Sequence, residues 1–157
     1  MSIGIIIAFA VRLLLVLLFL PFSALDKILN FPGAVAQARQ AVPSPALAVL
    51  LILAGLGVEI FMSAAILIGV ADRLAALVLA AYCIATALMW KQFWKPGDFR
   101  SNPNGAARGL FWDFWKNLAL AGGFLLLTFG ATAQSTGAFL AAPLSSTHPY
   151  AAASPAP

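Results

Sequence analysis

The sequence predicts an all-α membrane protein: a four-helix transmembrane bundle over residues 1–133, followed by a low-complexity, Pro/Ala/Ser-rich tail over residues 134–157. Of the 157 residues, 62% are hydrophobic and only 9% are charged, which lies outside the usual range of a soluble domain. The mean hydropathy is +0.97. This composition excludes a separate soluble enzyme domain. We expect the excess basic residues to set membrane orientation, and we expect no nucleic-acid partner.

Four apolar runs are close to the roughly 20 residues that a helix needs to cross a bilayer. They cover residues 3–25, 46–70, 73–90 and 111–133. Ser44 followed by Pro45 places a hydroxyl cap and a first-turn proline at the start of the second run, and Asp72 is positioned to cap the third. The short break at Gly69 predicts a tight helical hairpin between the second and third runs.

The basic residues predict the orientation of the bundle. The two long connections, 26–45 and 95–109, fall on one side of the membrane, and the opposite side has little positive charge beyond Arg73. The side with the long connections carries Lys27, Arg39, Lys91, Lys95, Arg100, Arg108 and Lys116. By the positive-inside rule, the long loops are cytoplasmic and both termini lie outside.

The tail after Gln134 is rich in Ala, Ser, Thr and Pro and ends in STHPYAAASPAP. A segment of this composition buries too little apolar surface to offset its ordering entropy, and it is typical of a mobile extension. We therefore expect that an ordered tail requires a docked partner, such as another membrane protein subunit.

Two ionisable residues, Arg12 and Glu59, lie deep in apolar runs, where each costs on the order of 2.5 to 3.5 kcal/mol at the bilayer centre. At a rise of 1.5 Å per residue, Arg12 is about 13 Å and Glu59 about 16 Å from the outer ends of their runs. The matched depth predicts a buried ion pair, and Tyr82, about 13 Å deep in the third run, is placed to join it. Two interpretations stay open: the pair fixes helix register, or it lines a polar pocket for a ligand head group or a proton relay.

All four tryptophans flank the connection between the third and fourth runs, which is typical of an aromatic belt at the membrane interface. The alternative is a face that receives a hydrophobic partner or an isoprenoid quinone. Candidate contacts for a lipid head group or a quinone at this interface are Lys27, Trp90, Trp94 and Asn117, although capping and snorkelling would explain such residues as well.

The chain has few residues that could carry catalysis. It contains one cysteine, Cys83, and one histidine, His148, too few for an internal disulfide or a Cys/His metal site. It has no intramembrane histidine to ligate haem and no phosphate-binding loop or Ser/His/Asp set. We therefore predict no catalytic residue, no metal site and no covalently bound cofactor, and we do not expect the chain alone to be an enzyme.

Several stretches resemble the DoxX family of small four-helix membrane proteins. They are Arg12 followed by LLLVLLFLPFSALDKI, the turn VADRLAALVL after Glu59 and Gly69, and FWKNLALAGGFLLL in the fourth run. The family pattern falls on Arg12, Lys27, Glu59, Gly69, Arg73, Asn117 and Gly123. Ser23-Ala24 and Ser63-Ala64 stand where glycines are common in the family, and these small residues preserve close helix packing.

The resemblance implies a protein of a bacterial or archaeal inner membrane. In a bacterial inner membrane, the orientation given by the positive-inside rule would place both termini in the periplasm. The resemblance also implies partnership, because the family is named after a subunit of a terminal quinol oxidase. We expect an integral membrane subunit that anchors or assists a larger, quinone-linked respiratory complex, in contact with lipid and other subunits. Two alternatives remain: a small-molecule or quinone carrier that uses the Arg12/Glu59 pocket, or a purely structural assembly subunit. For the redox subunit and for the carrier, quinone or lipid is the expected ligand.

Overall fold

The computed structural model describes residues 2–151, and that part of the chain forms six helices. The helices are α1 (Ile3–Leu29), α2 (Phe31–Ala38), α3 (Pro45–Ile68), α4 (Asp72–Trp90), α5 (Ala106–Phe129) and α6 (Ala133–Ala141). Two of them contain a wide π-helical turn: Leu18–Ser23 in α1 and Val58–Met62 in α3. The predicted all-α membrane bundle is confirmed.

Three helices, α1, α3 and α4, are long and apolar enough to cross a membrane. The fourth predicted run corresponds to α5, which meets the same criterion only when it is taken together with α6, from the predicted tail, as one span with a 75° bend. The reason is that Asp113, Lys116 and Asn117 lie in the first half of α5 and shorten its apolar part.

The helix ends agree with the sequence at one predicted cap and differ at the other. The Leu47 amide donates to Ser44 Oγ at 3.4 Å, so the predicted cap of α3 is confirmed. Asp72 does not cap α4: the residue before the helix is Ala71, which makes no side-chain cap. The carboxylate of Asp72 turns to other partners, described below.

The connection between α1 and α3 is more helical than predicted. The first run was expected to end near residue 25, but α1 continues to Leu29, and α2 follows where a loop was expected. The residue between α1 and α2, Asn30, has a non-helical backbone (φ −118°, ψ 44°), so the chain changes direction there. This bend places α2 against α3 as a short side helix of the bundle.

The core lies between the four long helices. α4 and α5 form the most extensive contact, and small buried residues on α4, such as Ala76 and Ala80, let the backbones approach. Where lipid supplies no drive for association, such close packing holds helices together. Val16, Leu79 and Phe124 are fully buried in this core.

We call the end of the bundle with the connections 39–44 and 91–105 the loop end. The opposite end, which has Ser2 and the turn 69–71, is the terminal end. Gly69 closes α3 there with φ +76°, in the left-handed region. The tight hairpin predicted at this glycine is confirmed.

The tail folds back onto the terminal end, contrary to its expected mobility in the absence of a partner. α6 begins with a capping box between Thr132 and Ser135. Arg73 ties it down, with Nε donating to the Thr128 carbonyl at 2.8 Å and Nη2 to the Ser135 carbonyl at 2.7 Å. The same guanidinium lies 5.3 Å from the centre of the Phe139 ring. Residues 152–157 of the predicted tail lie outside the described residues.

Residues 142–151, which we call the strap, supply hydrogen-bond donors to the end of α3. Ser146 Oγ donates to the Gly69 carbonyl, and the Tyr150 hydroxyl donates to the Leu67 carbonyl. The last carbonyls of a helix have no partner within it, and an unsatisfied carbonyl is costly near hydrocarbon. Hydrogen bonding to the carbonyls of α3 therefore holds a segment that its composition alone would leave free.

Gly69→Ala is expected to lower the stability of the protein and to release the strap. An alanine there would have a strained positive φ, and its Cβ would lie 2.7 Å from Pro149 Cδ. We expect a loss of about 1–2 kcal/mol in the free energy of unfolding, together with faster amide exchange over residues 146–151.

The matched control for this substitution is Gly122→Ala, because a Cβ on Gly122 meets no atom within 4 Å. It should leave exchange in the strap unchanged. Slow exchange in the strap of Gly69→Ala would show that the strap is held by other contacts.

Candidate functional site

A cavity of about 770 Å³ opens in the loop-end half of the bundle, lined by α1 to α5. Its volume falls in the range of small-molecule binding sites. The apolar lining includes Phe19, Leu51, Ile52, Val58, Met89 and Leu120. The polar lining includes Ser23, Lys27, Asn30, Gln37, Glu59, Tyr82, Thr86, Asp113, Lys116 and Asn117.

Four residues on the inner wall form a hydrogen-bonded group, which we call the Glu59 cluster: Ser23, Lys27, Glu59 and Tyr82. Three donors meet at one carboxylate oxygen, Glu59 Oε1. They are Lys27 Nζ at 2.7 Å, Tyr82 Oη at 2.8 Å and Ser23 Oγ at 2.9 Å. Lys27 Nζ also donates to Ser23 Oγ at 2.6 Å.

The two π turns place the central members of the Glu59 cluster. Ser23 ends the π turn of α1, and Glu59 lies within the π turn of α3. Pro21 lies in the π turn of α1, and because it has no amide hydrogen, one α-helical hydrogen bond is missing there. The two turns contact each other. Single π turns in α-helices are frequent at functional sites.

The second carboxylate oxygen, Glu59 Oε2, receives no hydrogen bond from any residue between 2 and 151. The Glu59 residue is only 1% exposed. A buried acceptor without a donor is costly, and the cost is greater for a charged group. The Glu59 cluster thus combines a saturated oxygen with an unsatisfied one on the same carboxylate.

Gly55 gives Tyr82 the room to reach Glu59. A Cβ on Gly55 would lie 3.2 Å from Tyr82 Oη and 3.4 Å from its ring. The distance to the hydroxyl is tight, so an alanine at position 55 would require Tyr82 Oη to shift by a few tenths of an ångström. Sequence reasoning did not single out Gly55, because one glycine in an apolar run resembles any other packing glycine.

The mouth of the cavity is also charged. Lys91 Nζ lies 3.1 Å from Asp113 Oδ2, and Lys116 Nζ lies 3.9 Å from Asp113 Oδ1. Asn117 Nδ2 donates to the Asp113 carbonyl at 2.9 Å. This arrangement places two ammonium groups around one carboxylate at the loop end.

The structure places three of the four candidate head-group contacts at the cavity. Lys27, Trp90 and Asn117 line it, and Trp90 Nε1 donates to the Gln37 carbonyl of α2 at 3.2 Å. Trp94 does not line the cavity. It packs edge-on against Phe93 and Phe114 and is 52% exposed, as expected of a residue in an interfacial belt.

Arg12 and Glu59 do not form the predicted ion pair. Arg12 Nη2 lies 2.7 Å from Asp72 Oδ2 and donates to Thr147 Oγ1 at 2.6 Å. Arg12 Nη1 donates to the Ile66 carbonyl at 2.7 Å. Thr147 in turn donates to Asp72 through its amide at 2.9 Å and through its hydroxyl at 2.5 Å.

The reason is the direction of helical side chains, which lean toward the N-terminus of their own helix. α1 begins at the terminal end, so Arg12 reaches toward that end. α3 begins at the loop end, so Glu59 reaches the other way and meets Lys27, which leans inward from the end of α1. Two long side chains at the same backbone depth on antiparallel helices therefore point away from each other.

The ionic and hydrogen-bond partners of Arg12 and Glu59 that were not predicted are Ser23, Lys27, Asp72 and Thr147, and the sequence contains a local signal for only some of them. Ser23 stands four residues before Lys27, a spacing that brings two helical side chains together. Asp72 is an acidic residue at a helix start and was therefore interpreted as a cap. For that reason its role as the counter-ion of Arg12 was not predicted. Thr147 lies in low-complexity sequence 75 residues from Asp72, and no local pattern links the two.

A double-mutant cycle should show that Arg12 is coupled to Asp72 and not to Glu59. Arg12→Leu leaves a buried carboxylate without its counter-ion and is expected to cost about 3–5 kcal/mol. Adding Asp72→Leu should recover much of that loss, whereas the effects of Arg12→Leu and Glu59→Leu should add. Unfolding of the purified protein in mild detergent measures all the variants, and a larger coupling between Arg12 and Glu59 would contradict this assignment.

Comparison with known proteins supplies one match. A family model described as DoxX matches residues 7–92, which is more than half of the chain. The matched segment contains Arg12, Lys27, Glu59 and Asp72, whereas Asn117 lies beyond it. No curated protein and no solved structure matches the chain. With its helical bundle and apolar spans, this multi-pass membrane protein belongs to the DoxX family.

Proposed function

We propose that this DoxX protein is a non-catalytic subunit of a larger, quinone-linked redox complex, and that it holds the head group of an isoprenoid quinone in its cavity. The observation that carries the proposal is the Glu59 cluster on the inner wall of a cavity of about 770 Å³. Intramembrane ionisable residues that face a cavity are functional candidates by default.

The lining of the cavity suits such a ligand. A quinone has a flat ring with two oxygens and a long apolar chain, so it needs a few polar groups beside an apolar surface. Phe19, Leu51 and Leu120 offer that surface, while Lys27 and Tyr82 offer polar contacts. Ligand sites typically combine mostly apolar walls with a few placed polar groups.

In this proposal the chain binds and presents the quinone, and partner subunits carry the electrons. The whole sequence has only one histidine and one cysteine, too few to build a haem or metal centre within one chain. The resemblance to a family whose members assist redox complexes supports a role of this kind.

The proposed location is the bacterial inner membrane, with the loop end on the cytoplasmic side and both termini in the periplasm. Lys91, Lys95, Arg100 and Arg108 all lie in or beside the connection between α4 and α5. Such an excess of positive charge favours the cytoplasmic side. The cavity mouth then faces the cytoplasmic leaflet, from which a quinone can enter.

Copurification tests the proposal directly. The protein is extracted from its native membrane in mild detergent, and its bound lipids and partner subunits are identified by mass spectrometry. We expect a bound quinone and at least one redox subunit. A phospholipid in the cavity would favour the carrier alternative, and a ligand-free monomer would contradict both.

Gly55→Ala should weaken quinone binding, because the added methyl group presses on Tyr82 Oη and strains its hydrogen bond to Glu59, with complete loss of that bond as the upper limit. The loss of one hydrogen bond is worth about 0.5–1.5 kcal/mol, or about 2- to 10-fold in dissociation constant. Binding of a short-chain quinone can be followed by quenching of tryptophan fluorescence, since Trp90 lines the cavity.

Gly122→Ala again serves as the matched control, because its methyl group meets no neighbour within 4 Å. It should bind the quinone like the unaltered protein. Equal weakening in both variants would mean that the effect comes from general loosening of the bundle and not from Tyr82.

A further inference from the structure

The outer face of α5 is an exposed stripe that runs from the loop end into the membrane. Residues three and four apart lie on one face of a helix, and successive positions at these spacings on α5 are all exposed. We call them the α5 stripe: Arg108, Trp112, Trp115, Ala119, Gly122 and Leu126. The opposite face of α5 is buried in the bundle through Ala107, Ala121 and Phe124. No residue of the α5 stripe lines the cavity, so this surface is separate from the proposed quinone site.

The two tryptophans indicate the level of the α5 stripe in the membrane. Trp112 and Trp115 are both exposed, and exposed tryptophans in membrane proteins lie where the hydrocarbon meets the head groups. Arg108 precedes Trp112 by one turn, or about 6 Å at 1.5 Å per residue. Arg108 is therefore at the level of the lipid phosphates, whereas the apolar end of the stripe is at the level of the acyl chains.

The side chain of Arg108 is suited to bind a phosphate. Its guanidinium carbon lies 5.3 Å from the centre of the Phe99 ring, and a guanidinium held at a ring can still direct its in-plane N–H groups to other acceptors. Arg108 forms no ion pair with any residue between 2 and 151. The planar fork of guanidinium donors matches the oxygens of a phosphate.

The connection between α4 and α5 adds positive charge beside the α5 stripe. Its only acidic residue, Asp98, turns inward, where Oδ1 accepts from the Ala107 amide at 3.1 Å. Lys95 and Arg100 are exposed, and neither forms an ion pair within the part of the chain that the structure describes. Arg100 directly follows the phenylalanine that the arginine of the stripe contacts. Three cations thus lie at the loop end without an ionic partner among the described residues.

We propose that the α5 stripe binds an anionic phospholipid, with the lipid phosphate at Arg108 and the acyl chains along the apolar end of the stripe. Lys95 and Arg100 attract the negative head group, and Trp112 and Trp115 contact the lipid between its head group and its chains. The inference goes beyond the proposed quinone site and does not depend on it, since it requires only that the helices span a membrane.

A lipid fits this surface better than an acidic protein does. The α5 stripe joins the cation at its outer end directly to exposed tryptophans and then to apolar helix surface. A phospholipid carries the matching anionic and apolar parts in one molecule. A soluble acidic partner would contact the cations alone. Clusters of basic residues next to a membrane span are typical of sites for anionic lipids.

The protein contains its own reporter for the test, because all four tryptophans lie near the loop end: Trp90, Trp94, Trp112 and Trp115. The full-length protein is placed in nanodiscs of phosphatidylcholine with brominated acyl chains, which quench tryptophan fluorescence. Unbrominated phosphatidylglycerol replaces this lipid in rising mole fraction, and unbrominated phosphatidylcholine does so in a parallel series. At low ionic strength we expect phosphatidylglycerol to associate at least about tenfold more strongly, since each basic residue near the surface is worth about fivefold. High salt should reduce this preference.

Arg108→Gln should lower the preference for phosphatidylglycerol by about fivefold, because one cation at the head-group level is lost. Arg108→Lys should keep most of the preference, since the charge remains. The matched control is Arg39→Gln, which removes the same charge from an exposed arginine in the other connection at the loop end. That control should keep the preference of the unaltered protein.

The outcomes decide between a lipid site and its alternatives. Equal association of the two lipids with the unaltered protein overturns the inference and leaves the exposed cations for an acidic protein. Equal losses in Arg108→Gln and Arg39→Gln overturn it as well, because net charge and not the α5 stripe would then set the preference. None of these results bears on the quinone proposal, since quinone probes report on the cavity and the α5 stripe lies outside it.

Discussion

The buried ion pair between Lys27 and Glu59 is the interaction on which the cavity depends. A carboxylate 1% exposed inside a membrane span is tolerable only beside a counter-charge. Lys27 supplies that charge from the neighbouring helix at 2.7 Å, and Ser23 and Tyr82 add two neutral donors to the same oxygen. Since all three partners bind one oxygen, the pair removes most of the cost of the charge and leaves the other oxygen without a donor among the described residues.

A second buried pair, Arg12 with Asp72, performs the matching task at the other end of the bundle. Arg12 is 6% exposed, and Asp72 is fully buried. The two pairs lie toward opposite ends of the bundle because Arg12 on α1 leans to the terminal end, whereas Glu59 on the antiparallel α3 leans to the loop end. The strap encloses the pair between Arg12 and Asp72, so the terminal end is closed. The pair between Lys27 and Glu59 borders the cavity, so the loop end is open.

The sequence was sufficient to predict the four long helices, because long apolar runs and the Ser44-Pro45 cap are local signals, but it did not predict α2 or α6. It was also sufficient to bring Glu59 and Tyr82 to one level. The sequence did not predict the partner of Arg12. The prediction compared the depths of the backbones, whereas the direction of the side chain decides which residue Arg12 meets. The π turns and the strap could not be predicted. The turns depend on packing between two helices, and the strap depends on single hydrogen bonds to carbonyls about 80 residues earlier in the chain.

The position of the strap has a consequence for how the chain is made. The carbonyls of Leu67 and Gly69 find their donors in Tyr150 and Ser146, which are synthesised long after α3 has left the ribosome. The strap must also reach the end of the bundle opposite to the 91–105 connection. Closure of the terminal end therefore follows synthesis of α5 and α6, and until then the carbonyls of Leu67 and Gly69 lack these two donors.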